Sequence, residues 1–126
     1  MDIKTNSNAM FNIIYHSLSL KNCIFENILC TGDRNESSFL LFESNEYGND
    51  IEMKNITISN CKTNSDLIKI TGIESVIKIS DVTITNSTSY GSILNDISNH
   101  VSIIMYIHIS YEKIFLLYIY ILINYL

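Results

Sequence analysis

The chain of 126 residues contains no proline and no tryptophan, four glycines, one alanine and one arginine. Isoleucine contributes 24 residues and asparagine 15. That split bears the imprint of an AT-rich genome, so a single Asn, Ile or Lys means little and only ordered patterns count. Charge is scarce too: charged residues make up 17% of the chain and the net charge is -5. The eight cations are scattered singly, which excludes the basic patch with interleaved aromatic platforms that nucleic acid needs and disfavours an acidic polymer. No basic amphipathic helix is available to lie on a membrane surface. Residues 1–20 lack the continuous apolar stretch of a secretory signal, roughly 7 to 15 residues. The length suits one domain, and an apolar content of 47% separates the chain from disordered sequences.

What is present is a repeat. Leu18 to Asn27 reads LSLKNCIFEN, Ile51 to Asn60 reads IEMKNITISN, and Ile77 to Asn86 reads IKISDVTITN. The three windows are apolar at the same four columns and polar at five others. Their alternation has period 2, skips one beat at Asn22, Asn55 and Asp81, and then resumes. Two short strands joined at a bend account for that skip, and the many β-branched residues favour strands over helix. Asn and Asp tolerate the left-handed backbone region best among non-glycine residues, so a one-residue corner selects them. Asn27, Asn60 and Asn86 close the second strand in the same manner. Stacked corner residues are placed to hydrogen-bond to one another along the column. A third apolar segment follows each window: Phe39 to Phe42, Leu67 to Ile70, and Ile93 with Leu94. Units of this size bury an apolar face only by stacking, at about 4.8 Å per strand. The pattern predicts an all-β parallel β-helix of three to four coils. A short β-sandwich in the same biased alphabet is the alternative.

These windows resemble the right-handed parallel β-helix of the pectin-lyase-like superfamily. The stretch ITNSTSYGSIL from Ile84 to Leu94 is similar to the polymorphic outer-membrane-protein type of repeat. The resemblance covers about residues 18 to 95 and implies a cell-surface or extracellular location. It also implies polysaccharide lyases or hydrolases as enzymatic relatives. Their paired aspartates, Gly-His-Gly and Arg-x-Lys strings do not occur here, and Arg34 is the only arginine. The expected function is therefore a non-catalytic solenoid, a fragment of a larger surface or secreted repeat protein acting as stalk, adhesin or scaffold on a protein or carbohydrate surface. A carbohydrate-binding or polysaccharide-degrading protein is the alternative, with Phe39, Phe42, Glu43, Tyr47 and Tyr90 as possible sugar contacts.

The chain divides into an irregular or incomplete N-terminal coil over 1–17, coils over 18–102, and a tail over 103–126. Seventeen of the tail's 24 residues are Ile, Tyr or Leu. A fourth copy begins near Val101, with Ile103, Ile107 and Ile109 available as inward residues, but its Asn corner is missing. The tail therefore reads as a final coil, as a hydrophobic segment anchoring a small membrane protein, or as translated noncoding AT-rich sequence. The apolar run from Ile114 to Tyr125 is short of the roughly 20 residues of a spanning helix.

Asp33, Glu36, Glu43, Glu46 and Asp50 surround the longest segment between windows, where oxygen ligands for Ca²⁺ are conceivable but the fixed spacing of a known calcium loop is lacking. An acidic solvated loop is the plainer reading, and no other cofactor is implied. His16, His100 and His108 share no metal-ligand spacing. Cys23 sits in an inward column, while Cys30 and Cys61 follow Asn27 and Asn60 onto neighbouring coils, where a disulfide in a secreted protein would leave Cys23 free. Three N-x-Ser/Thr sequons occur, at Asn35, Asn55 and Asn86, about as many as chance provides. Asn35 on the long loop is the one expected to accept a glycan.

Overall fold

The computed structural model describes residues 3–5, 9–33, 35–96, 99–111 and 115–124, with side-chain environments given between Ala9 and Asp96. Every regular element among them is a β-strand. The long strands β3 (Leu18–Cys30), β5 (Asp50–Thr63), β6 (Ile68–Thr85) and β9 (Asn99–Tyr111) stack in parallel. Leu18 pairs with Ile51, Ile51 with Ile77, and Ile77 with Ile103. The three windows are thus successive rungs of one all-β parallel solenoid, whose sheet wraps ~262° round an axis. Each rung is one long bent strand where the sequence suggested two short ones. Pairing is held on both sides of the corner, through Lys21 with Lys54 and Cys23 with Ile56, so the ladder continues through the bend.

The bends are single residues in the left-handed region. Asn22, Asn55 and Asp81 have φ of 55°, 54° and 54°, and Asn27, Asn60 and Asn86 have 56°, 50° and 47°. Most L-residues pay roughly 1–2 kcal/mol for this conformation, and Asn or Asp less. The Asn side chains also form ladders: Asn55 Nδ2 donates to Asn22 Oδ1 at 2.8 Å, and Asn60 Nδ2 to Asn27 Oδ1 at 2.6 Å. A third column of positive φ has no Asn in it. Tyr15 (59°), Gly48 (80°) and Glu74 (57°) each lie three residues before the first inward residue of their rung.

A second sheet segment closes the other side of the core. It contains β2 (Phe11–Ile14), β4 (Leu40–Ser44), the start of β6 and β8 (Leu94–Asp96), again in parallel. The shorter third side stacks β1 (Ile3–Thr5), Ile28–Cys30, Cys61–Thr63 and β7 (Thr88–Ser89). Ile51, Met53, Ile56 and Ile58 of one rung and Ile77, Ile79, Val82 and Ile84 of the next point inward and are almost wholly buried. They meet Phe39, Leu40, Phe42, Leu67, Ile68 and Ile70 from the second sheet. Phe11, Phe25 and Phe39 pack edge to face, with centroids 5.1–5.5 Å apart. Fully burying each such side chain contributes about 1.5–3 kcal/mol, and within the rungs period 2 with one skip at each corner turns them to one interior.

The ends differ from the middle. β1 and β2 give the N-terminal residues a place on two sides of a coil without forming its long rung. At the other end β9 docks on β6 with a register shift: Ile79 pairs with Met105 but Val82 with Ile107. Two residues of β6, Ser80 and Asp81, therefore face one of β9, and the residue lost is the corner that the sequence lacks there. β10 (Phe115–Asn124) then turns back antiparallel on β9, pairing Phe115 with Tyr111 and Asn124 with Ser102. The backbone over 99–111 and 115–124 is strand. No helix among the described residues is long and apolar enough to cross a membrane. Tail residues 112–114 and 125–126 lie outside the described residues.

Candidate binding surface

The longest inter-window segment divides between two corners of the coil. The pairing offset between β3–β4 and the next coil is 33 residues at Cys30 with Thr63, 28 at Leu40 with Ile68, and 26 at Ile51 with Ile77. Most of the extra length therefore lies between Cys30 and Leu40, and the remainder between Ser44 and Asp50. Asp33 and Glu36 belong to the first loop, Glu43, Glu46 and Asp50 to the second corner. Asp33 Oδ1 accepts the Asn35 amide at 2.7 Å and its carbonyl accepts the Ser37 amide at 2.9 Å, so this residue shapes its own turn. The five acids are thus divided between two places on the coil. Among the described residues no three His, Cys, Asp or Glu side chains come together as metal ligands.

The second corner carries a shallow depression of about 480 Å³ lined by Tyr15, Glu43, Ser44, Asn45, Glu46, Tyr47, Gly72 and Ile73. Its shape follows from its turns. Asn45 Oδ1 accepts the Tyr47 amide at 3.0 Å, Asn49 Oδ1 accepts the Asn45 amide at 2.9 Å, and Gly48 supplies positive φ. Below them Gly72, at φ 103°, lies so close to the backbone of Ser44 that no side chain fits. Ser44 Oγ donates to the Ile73 carbonyl at 2.7 Å, tying the two coils together at this corner. Tyr15 OH donates to Glu43 Oε1 at 3.2 Å. That hydrogen bond, the charge of Glu43 and slight burial raise the Tyr15 pKa above its ordinary value. The Tyr47 side chain is 86% exposed and that of Ile73 42%. The depression thus offers exposed aromatic rings beside two carboxylates and an amide, a set that accepts hydrogen bonds from hydroxyl groups and repels anions.

Of the five residues expected to meet a sugar, Glu43 and Tyr47 come together here. Phe39 and Phe42 do not: both are fully buried in the core, and a ring without exposed surface has no face to offer, which corrects their assignment. Phe42 follows the inward period of β4 with Leu40 and Ser44, whereas Phe39 precedes that strand and packs against Phe11 and Phe25. Tyr90 is exposed but lies at the opposite end of the second sheet, where its amide donates to the Thr63 carbonyl. Tyr15, Asn45 and Ile73 were missed. The signal for Tyr15 was positional, since it precedes Leu18 by the interval at which Gly48 precedes Ile51.

The corner residues Asn22, Asn55 and Asp81 are exposed on the outer surface. The Asn55 amide nitrogen is nonetheless occupied by its ladder bond, whereas Asn35 is exposed on its loop. His16 is exposed, and the side chains of His100 and His108 lie outside the described residues. Cys23 is half-buried in the column of Ile56 and Val82 as expected, with its thiol donating to the Lys21 carbonyl. Cys30 and Cys61 are buried free thiols. Cys61 pairs with Ile28 and Cys30 with Thr63, a diagonal of one strand spacing and two residues, roughly 8 Å between Cα atoms. A disulfide tolerates less than about 7 Å, so this register disfavours the bridge. Burial, and to a lesser extent the charge of Cys30, push the Cys61 thiol up to about 12.

Compared with known proteins, the chain matches no family model, no curated protein and no solved structure.

Proposed function

We propose that this chain is a non-catalytic β-solenoid segment of a cell-surface or secreted repeat protein, similar to the pectin-lyase-like β-helices, serving as stalk, adhesin or scaffold. The observation that supports it is the axial continuity of the design. One apolar core runs from rung to rung, and the Asn columns are hydrogen-bonded between the first two rungs, an arrangement suited to an elongated support. Incubation with plant cell-wall polysaccharides, with and without Ca²⁺, is expected to release neither unsaturated nor reducing ends. Release of either would overturn the reading in favour of an enzyme.

A second reading, carbohydrate binding without cleavage, is favoured by the depression that joins Tyr15, Glu43 and Tyr47. A neutral saccharide stacks one ring face on Tyr47 and donates hydroxyls to Glu43 and Glu46. In a titration with neutral oligosaccharides followed by NMR, shifts should cluster at residues 43–47 and 72–73. Tyr47→Ala should weaken binding about tenfold, as loss of one stacking contact of about 1.4 kcal/mol would. Shifts spread over the whole surface would remove this reading.

A further inference from the structure

We infer that the N-terminal edge of β3, from Leu18 to Glu26, is a docking site for a parallel β-strand of the repeat's own pattern, apolar residues alternating on either side of an Asn or Asp corner. Three observations carry this. The first concerns the backbone. β3 pairs with β5 along one edge from Leu18 to Cys30, but along its other edge β1 covers only Ile28 to Cys30. Among the described residues nothing pairs with Leu18 to Glu26 on that side, which leaves a row of backbone donors and acceptors set for strand addition.

The second is the apolar column. Leu18, Leu20, Cys23 and Phe25 are only half-buried, whereas their register partners Ile51, Met53, Ile56 and Ile58 are at most 1% exposed. The same four columns are sealed one rung further on, and what seals them is a rung on each side. The third is the direction of the Asn ladder. Each amide donates its Nδ2 to the Oδ1 of the rung on its N-terminal side, as Asn55 does to Asn22. Asn22 accepts that bond at its Oδ1, so the same pattern continued one rung outward makes its Nδ2 the next donor and calls for an acceptor on the open edge.

The occupant is specified by these features. It runs parallel to β3, it places a carbonyl or carboxylate oxygen at the corner over Asn22, and it carries apolar residues four and two positions before that corner and one and three after it. An uncharged residue over Lys21 avoids repulsion. The sequence of Ile77 to Asn86, IKISDVTITN, meets each requirement: in register it sets Ser80 over Lys21, Asp81 over Asn22, and Val82 and Ile84 over Cys23 and Phe25.

The test uses the full chain and a fluorescein-labelled peptide of sequence IKISDVTITN, with anisotropy for affinity and amide hydrogen exchange for location. Saturable binding with new protection confined to Leu18–Glu26 is expected. A peptide with Gly in place of its Asp keeps the corner but lacks the acceptor, and should bind roughly 5- to 10-fold more weakly. Asn22→Gly in the protein removes the donor, keeps the positive φ and should abolish the difference between the two peptides. Should that variant fail to fold by circular dichroism, the two peptides on the unmodified chain decide the matter. No binding, protection elsewhere, or equal affinity for both peptides would overturn the proposal.

Discussion

At the scale of single residues the corners concentrate two different costs, backbone strain and hydrogen bonding, in one side chain. Asn55 holds φ 54° and donates to Asn22. Asn55→Gly relieves the strain and loses only the hydrogen bond, about 1 kcal/mol net. Asn55→Ala loses the bond and also pays roughly 1–2 kcal/mol for the left-handed backbone. Urea unfolding should therefore rank the Ala variant less stable than the Gly variant by about 1 kcal/mol or more, and equal stabilities would remove strain from the account. Cys61 gives a residue-level pH dependence. Its thiol titrates at about 12 in the folded chain and near 8.5 when unfolded. Below the unfolded value both states are protonated and no stability is lost. Between about pH 8.5 and 12 the unfolded chain gives up its proton first, so stability falls as pH rises. At pH 10.5 the loss is about 3 kcal/mol. Cys61→Ala should show a correspondingly shallower alkaline decline when unfolding midpoints at pH 7 and 10.5 are compared.

Elements are held by the inward columns, and there the contrast between adjacent residues is sharp. Ile58 is fully buried while Thr57, next to it, faces outward. Ile58→Asp places an unpaired charge in the core at a cost of several kcal/mol, roughly the whole stability of a small domain. It should abolish cooperative β-structure by circular dichroism, whereas Thr57→Ala should shift the unfolding midpoint by no more than about 0.5 kcal/mol. This contrast also marks what the sequence could reveal. Period 2 with a skipped beat located the rungs of 18–27, 51–60 and 77–86, because one inward face repeats in every copy. The skips fall at positive φ because few residue types tolerate that backbone. The third corner column escaped notice since Tyr15, Gly48 and Glu74 share a conformation but no chemistry. Phe39 and Phe42 were misread because an apolar run such as FLLF does not say which members face in. The depression was only half legible. Glu43 and Tyr47 are close in sequence, but Tyr15 and Ile73 reach them only through stacking of coils 28 and more residues apart.

For the whole molecule the two ends are not equivalent, and the asymmetry predicts how the chain assembles. At the C-terminal end β10 lies antiparallel on β9. Its alternately close and wide hydrogen-bond pairs do not match the evenly spaced ladder that a further parallel rung requires. At the N-terminal end the edge of Leu18 to Glu26 keeps the parallel pattern open. Deleting residues 112–126 removes β10 and leaves the outer edge of β9 parallel and unpaired. The truncated chain then carries two open edges of the same sense at opposite ends of one stack. Contact between them is head to tail, a heterologous arrangement that does not close on itself and so grows. The β9 rung lacks the corner residue and so brings no side-chain acceptor to Asn22, which weakens the contact, but β6 already pairs with β9 across that skip, so pairing itself is not prevented. Size-exclusion chromatography with light scattering should find the truncated chain in concentration-dependent assemblies that lengthen with time. The full chain at the same concentration should show no such growth. Excess IKISDVTITN peptide, which competes for the Leu18–Glu26 edge, should cap the growth and return shorter species. A truncated chain that stays monomeric at tens of micromolar would show that β10 is not what blocks the stack. Growth unaffected by the peptide would place the contact at some surface other than the β3 edge.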